Sequence, residues 1–335
     1  MDITQLLSFA HDNEASDLHL SAGNVPVIRV YGRLKRLKSP ALKSQDVKKI
    51  LYAVMSEEQR EIFETQKEID FAVTYGEHAR FRVNAFHNRN GVSAVFRLIP
   101  TRIPSFADLS LPPVFENLCG VDGGLVLVTG SAGSGKSTTL ASMVDYINQR
   151  EDRHIITIED PVEFIHSSVK GLVNQREVGH DTEDFDIALR SAMREDPDVI
   201  FLGEMRDYET MGLALNAAET GTLVFSTLHA SSVTQAITRI VDSFPSEDKD
   251  MARAMLASSL SAIVAQRLLP RKDGKGQVAA FEVLVATPAV RNMIRDNRIP
   301  QIASMVQTGA KHGMVSMESS LSELADNDII EKQAV

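Results

Sequence analysis

The sequence predicts an α/β fold with a mostly parallel sheet, preceded by a small α+β domain. Three observations predict it. Past about Gly123, short apolar runs alternate with amphipathic stretches of helical period. One junction between such a run and such a stretch carries a glycine-rich loop. Residues 1–100 read instead as short strands, turns and a hairpin beside a few helices. The expected boundaries are 1–100 for the first domain, 101–113 for a linker and 114–335 for the second domain with a C-terminal helical segment.

In chain order, Asp2 to Asn13 carries Ile3, Leu6, Leu7 and Ala10 at helical spacing. Asp17 to Leu20, Val27 to Val30 and Leu34 to Leu37 read as β-pieces, the last after a turn at Gly32. Lys43 to Met55 and Glu57 to Phe63 read as helices, with Ser44 and Ser56 as expected N-caps. Phe71 to Val73 reads as a strand. Arg80 to Phe86 and Val92 to Leu98 read as a hairpin, turning through Asn88-Arg89-Asn90-Gly91. Pro100, Pro104, Pro112 and Pro113 mark the linker, with a short helix between them. Beyond it, Gly124 to Thr129, Ile155 to Ile158, Val199 to Leu202, Leu223 to Thr227 and Val278 to Leu284 are the apolar β-runs. Asn292 to Val335 reads as helical and moderately polar.

Bulk composition limits the function. The chain has 335 residues, 43% hydrophobic and 24% charged, which is ordinary for globular domains. A net charge of −10 argues against a general basic surface, so no nucleic-acid partner is expected. The single cysteine, Cys119, leaves no intrachain disulfide and no multi-cysteine zinc site; it reads as a buried structural thiol. No run approaches ~18 apolar residues, so no direct membrane insertion is expected. Met1 to Gln5 lacks a basic-then-apolar signal sequence. A cytoplasmic protein is the expectation, with any membrane link made through partners.

Gly130-Ser131-Ala132-Gly133-Ser134-Gly135-Lys136-Ser137 fits GxxxxGK[ST], the phosphate-binding P-loop. Its glycines let backbone N–H groups close on phosphate oxygens. Lys136 can reach the β- and γ-phosphates, and Ser137 can offer a hydroxyl to Mg²⁺. With Thr138 at the start of the following helix, residues 131–138 form the expected nucleotide cradle, assisted by the helix N-terminus. Phosphoryl transfer also needs an acid to order Mg²⁺, a carboxylate to orient water, and positive charge on the transferring group. Glu204, after the apolar run Val199 to Leu202, is the candidate for the first, holding Mg²⁺ through water. Glu163, in the acidic stretch Glu159-Asp160-Pro161-Val162-Glu163, is the candidate for the second; a solvated acidic turn is the competing reading. His229, after a run that should neighbour the P-loop strand, can sense the γ-phosphate or simply be a satisfied rim histidine. Arg80, Arg82 and Arg97 lie in the first-domain hairpin. Arg80, Arg82 and Asn84 share one face opposite Phe81, Val83 and Ala85. Arg190 and Arg194 are spaced for one helix face, as salt-bridge formers or as phosphate ligands.

These stretches together resemble the type II/type IV secretion ATPase superfamily. Gly130 to Ser137, Thr157 to Phe164, Asp196 to Asp207 and Gly221 to His229 look like its Walker A, Asp box, Walker B and His box. Ala15 to Gly23, Arg80 to Phe86 and Ala289 to Asp296 are similar to PilT-type retraction ATPases of twitching motility. The resemblance implies a PAS-like N-terminal domain, a RecA-like ATPase domain, a homohexamer and hydrolysis of ATP with Mg²⁺. It implies catalytic roles for Lys136, Glu163, Glu204 and His229, with Arg82 and Arg97 reaching nucleotide from the N-terminal domain. Ala289 to Asp296 corresponds to an element needed for retraction rather than for hydrolysis. It further implies an inner-membrane platform protein as partner, an accessory retraction ATPase as another, and a place at the cytoplasmic face of that membrane. Thr222 stands where many relatives carry a first His-box histidine, which puts a two-histidine mechanism in question. Ser131-Ala132 replaces a usual Pro-Thr and keeps the phosphate-binding types.

Rival readings differ in sequence features. Extension or secretion ATPases usually carry a four-cysteine zinc element, and this chain has one cysteine. An accessory PilU-like retraction ATPase shares the core; the intact Arg291-Asn292-Met293-Ile294-Arg295 favours the main motor. A nucleic-acid-dependent ATPase conflicts with the acidic charge, and a non-catalytic scaffold with the presence of both glutamates.

Overall fold

In the computed structural model the chain divides into two units, Met1–Arg102 and Ile103–Val335. The structure describes every residue except 1, 14, 31, 76–78, 100–101, 275 and 333–335, so Met1 and Pro100 lie outside the described residues.

The first unit is built on period-2 alternation. Helix α1 (Ile3–Asp12) leads into β1 (Asp17–Ser21), β2 (Val27–Val30) and β3 (Arg33–Arg36). Helices α2 (Ser44–Tyr52) and α3 (Glu57–Gln66) precede β4 (Glu68–Tyr75), β5 (Ala79–Asn88) and β6 (Gly91–Ile99). The six strands form one antiparallel sheet in the order β3-β2-β1-β6-β5-β4. Phe81, Val83 and Ala85 are fully buried, as the pleat requires, and join Leu18, Leu20, Phe96 and the apolar faces of α1 and α2 in one core.

Two local expectations are corrected here. Ser44 is the first helical residue, and Lys43 occupies the cap position, its N–H donating to Asp46 Oδ2. Ser44 Oγ instead accepts the Val92 N–H across to the hairpin. Ser56 does cap α3, in reciprocal bonds with Gln59. The hairpin pairs Asn88 with Gly91, so its turn is centred on Arg89-Asn90 and not on the Asn-Gly pair.

The second unit begins with α4 (Phe106–Leu109) and α5 (Val114–Cys119). The α/β alternation follows: β7 (Gly124–Thr129), α6 (Lys136–Arg150), β8 (His154–Glu159), β9 (Leu172–Glu177), α7 (Phe185–Ala192), β10 (Val199–Leu202), α8 (Tyr208–Glu219), β11 (Leu223–Leu228), α9 (Val233–Ser243) and α10 (Lys249–Ser259). Strands β12 (Leu260–Pro270) and β13 (Gln277–Val285) and helices α11 (Pro288–Arg295), α12 (Ile302–Thr308) and α13 (Met317–Asp326) complete it. The sheet order is β13-β12-β7-β11-β10-β8-β9. Every pairing is parallel except β12 with β13.

This is the expected α/β architecture, and its cause is visible strand by strand. All of β7, β10 and β11 is buried. Leu125, Leu127, Ile200 and Leu202 pack to one face with α7 to α10, while Val126, Val128, Val199 and Phe201 pack to the other with α5 and α6. Strands covered on both faces have no polar side to show, hence the unbroken apolar runs. One further correction concerns Arg194: α7 ends at Ala192, so Arg190 and Arg194 do not share a helix face.

Candidate active site

The site grows from the C-terminal end of β7. The chain leaves the strand at Thr129, turns through 130–135 and enters α6 at Lys136. Gly130 is required by space, since a Cβ there would lie 2.5 Å from the Gln266 carbonyl oxygen on β12. Gly133 and Gly135 take left-handed φ values of 73° and 87°, which side chains other than glycine resist. Gln266 buttresses the loop from β12: its Nε2 donates to Ser134 O at 2.8 Å, and its Oε1 accepts from Thr139 Oγ1 at 2.8 Å.

A cleft of about 240 Å³ opens over this loop. Ala132, Gly133, Lys136, Ser137, Glu163, Glu204 and His229 all line it. Ser131 is exposed at the loop's start, Ser134 is buried beneath the loop, Gly135 initiates α6, and Thr138 is half-buried one residue beyond Ser137. Arg82 and Arg97 belong to the other unit. They are cross-strand neighbours on β5 and β6, each beside an aspartate: Arg82 Nε lies 3.5 Å from Asp70 Oδ1 and Arg97 Nε 2.9 Å from Asp17 Oδ1.

The cleft fits a phosphate group. Lys136 is buried, and its Nζ donates to the Gly130 and Ser131 carbonyls at 3.1 and 2.9 Å, folded back on its own loop. Burial lowers its pKa, while Glu204 and Glu163 pull it upward. An anion arriving there would replace carbonyl dipoles with full charge. Ser134 Oγ is buried without a hydrogen-bond partner. Among the described residues no cluster of three acidic, histidine or cysteine side chains could hold a metal by itself. A Mg²⁺ would therefore draw its ligands from Ser137, phosphate oxygens and water, with Glu204 within the same cleft.

Glu204, just past the end of β10, is held on both sides. His229 Nε2 lies 3.2 Å from its Oε1, and Arg206 Nε 2.9 Å from its Oε2. Arg206 Nη1 also reaches Asp160 Oδ2 at 3.3 Å. The parallel pairing of β11 with β7 and β10 explains this convergence: His229, Glu204 and the P-loop all follow the same ends of adjacent strands. Thr222 precedes β11 at the opposite end, about six strand residues or roughly 20 Å from His229. It does not line the cleft.

Sequence reasoning did not single out Arg206, and from the acidic stretch it chose Glu163 over Asp160 and Glu159; all four line the cleft. Arg206 had a signal, as a cation two residues past the strand-end acid, close enough in the chain to pair with it. Glu159 had a weaker one, as the last residue of an apolar strand. It is buried, and burial pushes its carboxyl up to about 7 against hydrogen bonds from Thr157, Gln175 and the Glu163 backbone.

A buried lysine at a helix start, faced across a cleft by carboxylates from neighbouring strand ends, defines the class as a P-loop nucleotide hydrolase. The family model described as "Type II/IV secretion system protein" matches residues 1–327, and the chain belongs to that family. It is 50% identical over 333 residues to the type IV pilus retraction ATPase PilT of Pseudomonas aeruginosa, covering 99% of this chain and 96% of that one. It is 50% identical over 309 residues to a twitching motility protein of Neisseria gonorrhoeae, covering 92% and 83%. The type IV pilus ATPase PilU of Pseudomonas aeruginosa is 40% identical over 97% of this chain and 85% of its own. Among solved structures, the pilus retraction motor PilT with bound ADP superposes with a TM-score of 0.93 at 46% identity, over 99% of this chain and 95% of that one. The resemblance read from the motifs is borne out by these matches.

Proposed function

We propose that this chain is an ATP-hydrolysing motor that drives type IV pilus retraction. The observation that carries the reading is the meeting of Lys136, Ser137, Glu163, Glu204 and His229 in one cleft, in a chain half identical over nearly its whole length to a retraction ATPase. ATP would place its phosphates on residues 131–138, and Lys136 would exchange its two carbonyl partners for phosphate oxygens. Bound Mg²⁺ would neutralise phosphate charge; Ser137, and Glu204 through water, are the residues that would hold it. Glu163 orients the attacking water toward the γ-phosphoryl, and His229 and Arg206 keep the Glu204 carboxylate in place. Arg82 and Arg97, on the N-terminal unit that we read as PAS-like, supply further positive charge to the nucleotide within a homohexamer. The ring acts on an inner-membrane platform protein from the cytoplasmic side. No helix among the described residues is long and apolar enough to cross a membrane.

An accessory, PilU-like role is the second reading. The 50% identity to PilT against 40% to PilU over similar coverage favours the main motor. The test is light scattering after size exclusion, with and without Mg-ATP, alongside phosphate release by wild type and Lys136→Ala. A six-subunit particle whose hydrolysis disappears in the variant supports the motor. A monomer without hydrolysis under every condition, tested with the platform protein present, overturns it.

A further inference from the structure

Glu163 sits on an irregular segment, residues 161–166, which forms neither helix nor strand. Even so, the segment is tied at nearly every residue. The Val162 N–H donates to Glu177 Oε2 at 3.1 Å. The Glu163 N–H donates to the Glu159 carboxylate. Gln175 Nε2 donates to Phe164 O at 2.9 Å, and Gln175 Oε1 accepts the His166 N–H at 2.7 Å. The same Nε2 lies 3.1 Å from Glu159 Oε1.

The partners come from two adjacent strands in register. Thr157 pairs with Gln175 and Glu159 with Glu177, so β8 and the edge strand β9 present these side chains on one face, beneath the segment. Val162, Phe164 and His166 are buried in alternation, which leaves Glu163 exposed into the cleft. One side chain must serve a carbonyl and an N–H together at positions 164 and 166. A glutamine amide does so; a glutamate offers only acceptors and a lysine only donors.

We propose that Gln175 is a positioning residue for hydrolysis, which holds the Glu163 segment in register with the P-loop by bonding Phe164 O, the His166 N–H and the Glu159 carboxylate at once. This rests on the reading of Glu163 as the carboxylate that orients water. The chemical step is sensitive to such placement, because a shift of about 1 Å can cost on the order of 100-fold in rate. Nucleotide binding draws on the loop 131–138, whereas Gln175 bonds Glu159, Phe164 and His166, so the effect belongs in kcat and not in KM.

The experiment compares Gln175→Met, Glu163→Gln and the double variant in the full-length protein, by steady-state phosphate release with Mg-ATP. The expected result is a fall in kcat of tenfold or more for Gln175→Met, KM for ATP within twofold, and no further loss when the change is added to Glu163→Gln. A kcat within twofold of wild type overturns the proposal, as does an equal loss in the Glu163→Gln background, which marks a purely structural role. Should Gln175→Met not fold, Gln175→Glu serves: it keeps the acceptor for His166 and removes the donor. Hydrogen exchange of residues 162–166 is read in parallel, with at least tenfold faster exchange confined to that segment expected. Full activity of Glu163→Gln would sink the underlying assignment instead, and unchanged exchange would then overturn the clamp on its own.

Discussion

Glu159 holds a carboxyl where burial disfavours charge, and its titration is raised from an ordinary 4.5 to about 7. The sign follows. Between those values the unfolded chain has lost this proton and the folded chain keeps it, so stability falls as pH rises from about 4.5 through 7 and then levels. The full cost at pH 8 is on the order of 3 kcal/mol. Glu159→Gln keeps the shape without the charge. Its Tm without nucleotide should exceed that of wild type by a few degrees at pH 8 and match it at pH 5. An equal shift at both pH values would mean that packing, not ionisation, is responsible. Cys119 is fully buried beneath α6, and burial raises its thiol pKa strongly. Iodoacetamide should label it only after denaturation; rapid labelling of the native protein would contradict this burial. Glu204 pairs with both His229 and Arg206 in the cleft. Glu204→Ala should cost at least about 100-fold in phosphate release, and wild-type turnover by that variant would remove Glu204 from the site.

At the scale of elements, α11 caps α10. Arg291 Nη1 takes the Ala257 and Ser258 carbonyls at 2.8 and 2.5 Å, and its Nε takes Ala286 O at 3.1 Å. The first two belong to the last turn of α10, where a helix leaves its carbonyls unpaired; Ala286 lies between β13 and α11. Arg291→Ala should lower stability to urea by about 1–3 kcal/mol, with Arg291→Lys recovering less than half, because an ammonium lacks the guanidinium fork. Denaturation curves of the three proteins decide it, and identical midpoints would show the cap to be redundant. The resemblance assigns the stretch Ala289 to Asp296 to retraction. Arg291 also makes these hydrogen bonds, so a motility assay on an Arg291→Ala strain must be read beside a measurement of folded protein.

At the scale of the molecule, the expected architecture depends on period. Runs such as Val199 to Leu202 could be read because both faces of that strand are covered, leaving no polar side to interrupt them. Strand β9 escaped notice because Leu172–Glu177 carries only two apolar residues; as an edge strand it is held by its pairing with β8 and supplies polar groups to the Glu163 segment. Strand β12 escaped because α10 runs directly into it at Leu260, with no glycine or proline between them to mark the change of period. Assembly is also decided at this scale. Hydrolysis that rises per subunit with protein concentration, alongside the six-subunit particle, is the expected signature of a site completed by Arg82 and Arg97 within the ring; a constant specific activity in dilute monomer would exclude it.

The sequence by itself determined the P-loop, the acids and histidine beside it, and the α/β alternation, because those depend on residue type and short-range period. Only the tertiary structure decided that Arg206 and His229 grip Glu204, that Gln266 and Gln175 buttress the two loops, and that Thr222 lies at the far end of its strand from the cleft. Those depend on which strands become neighbours and in what register. That choice is made by the packing of the whole sheet, between residues as far apart in the chain as Ser134 and Gln266.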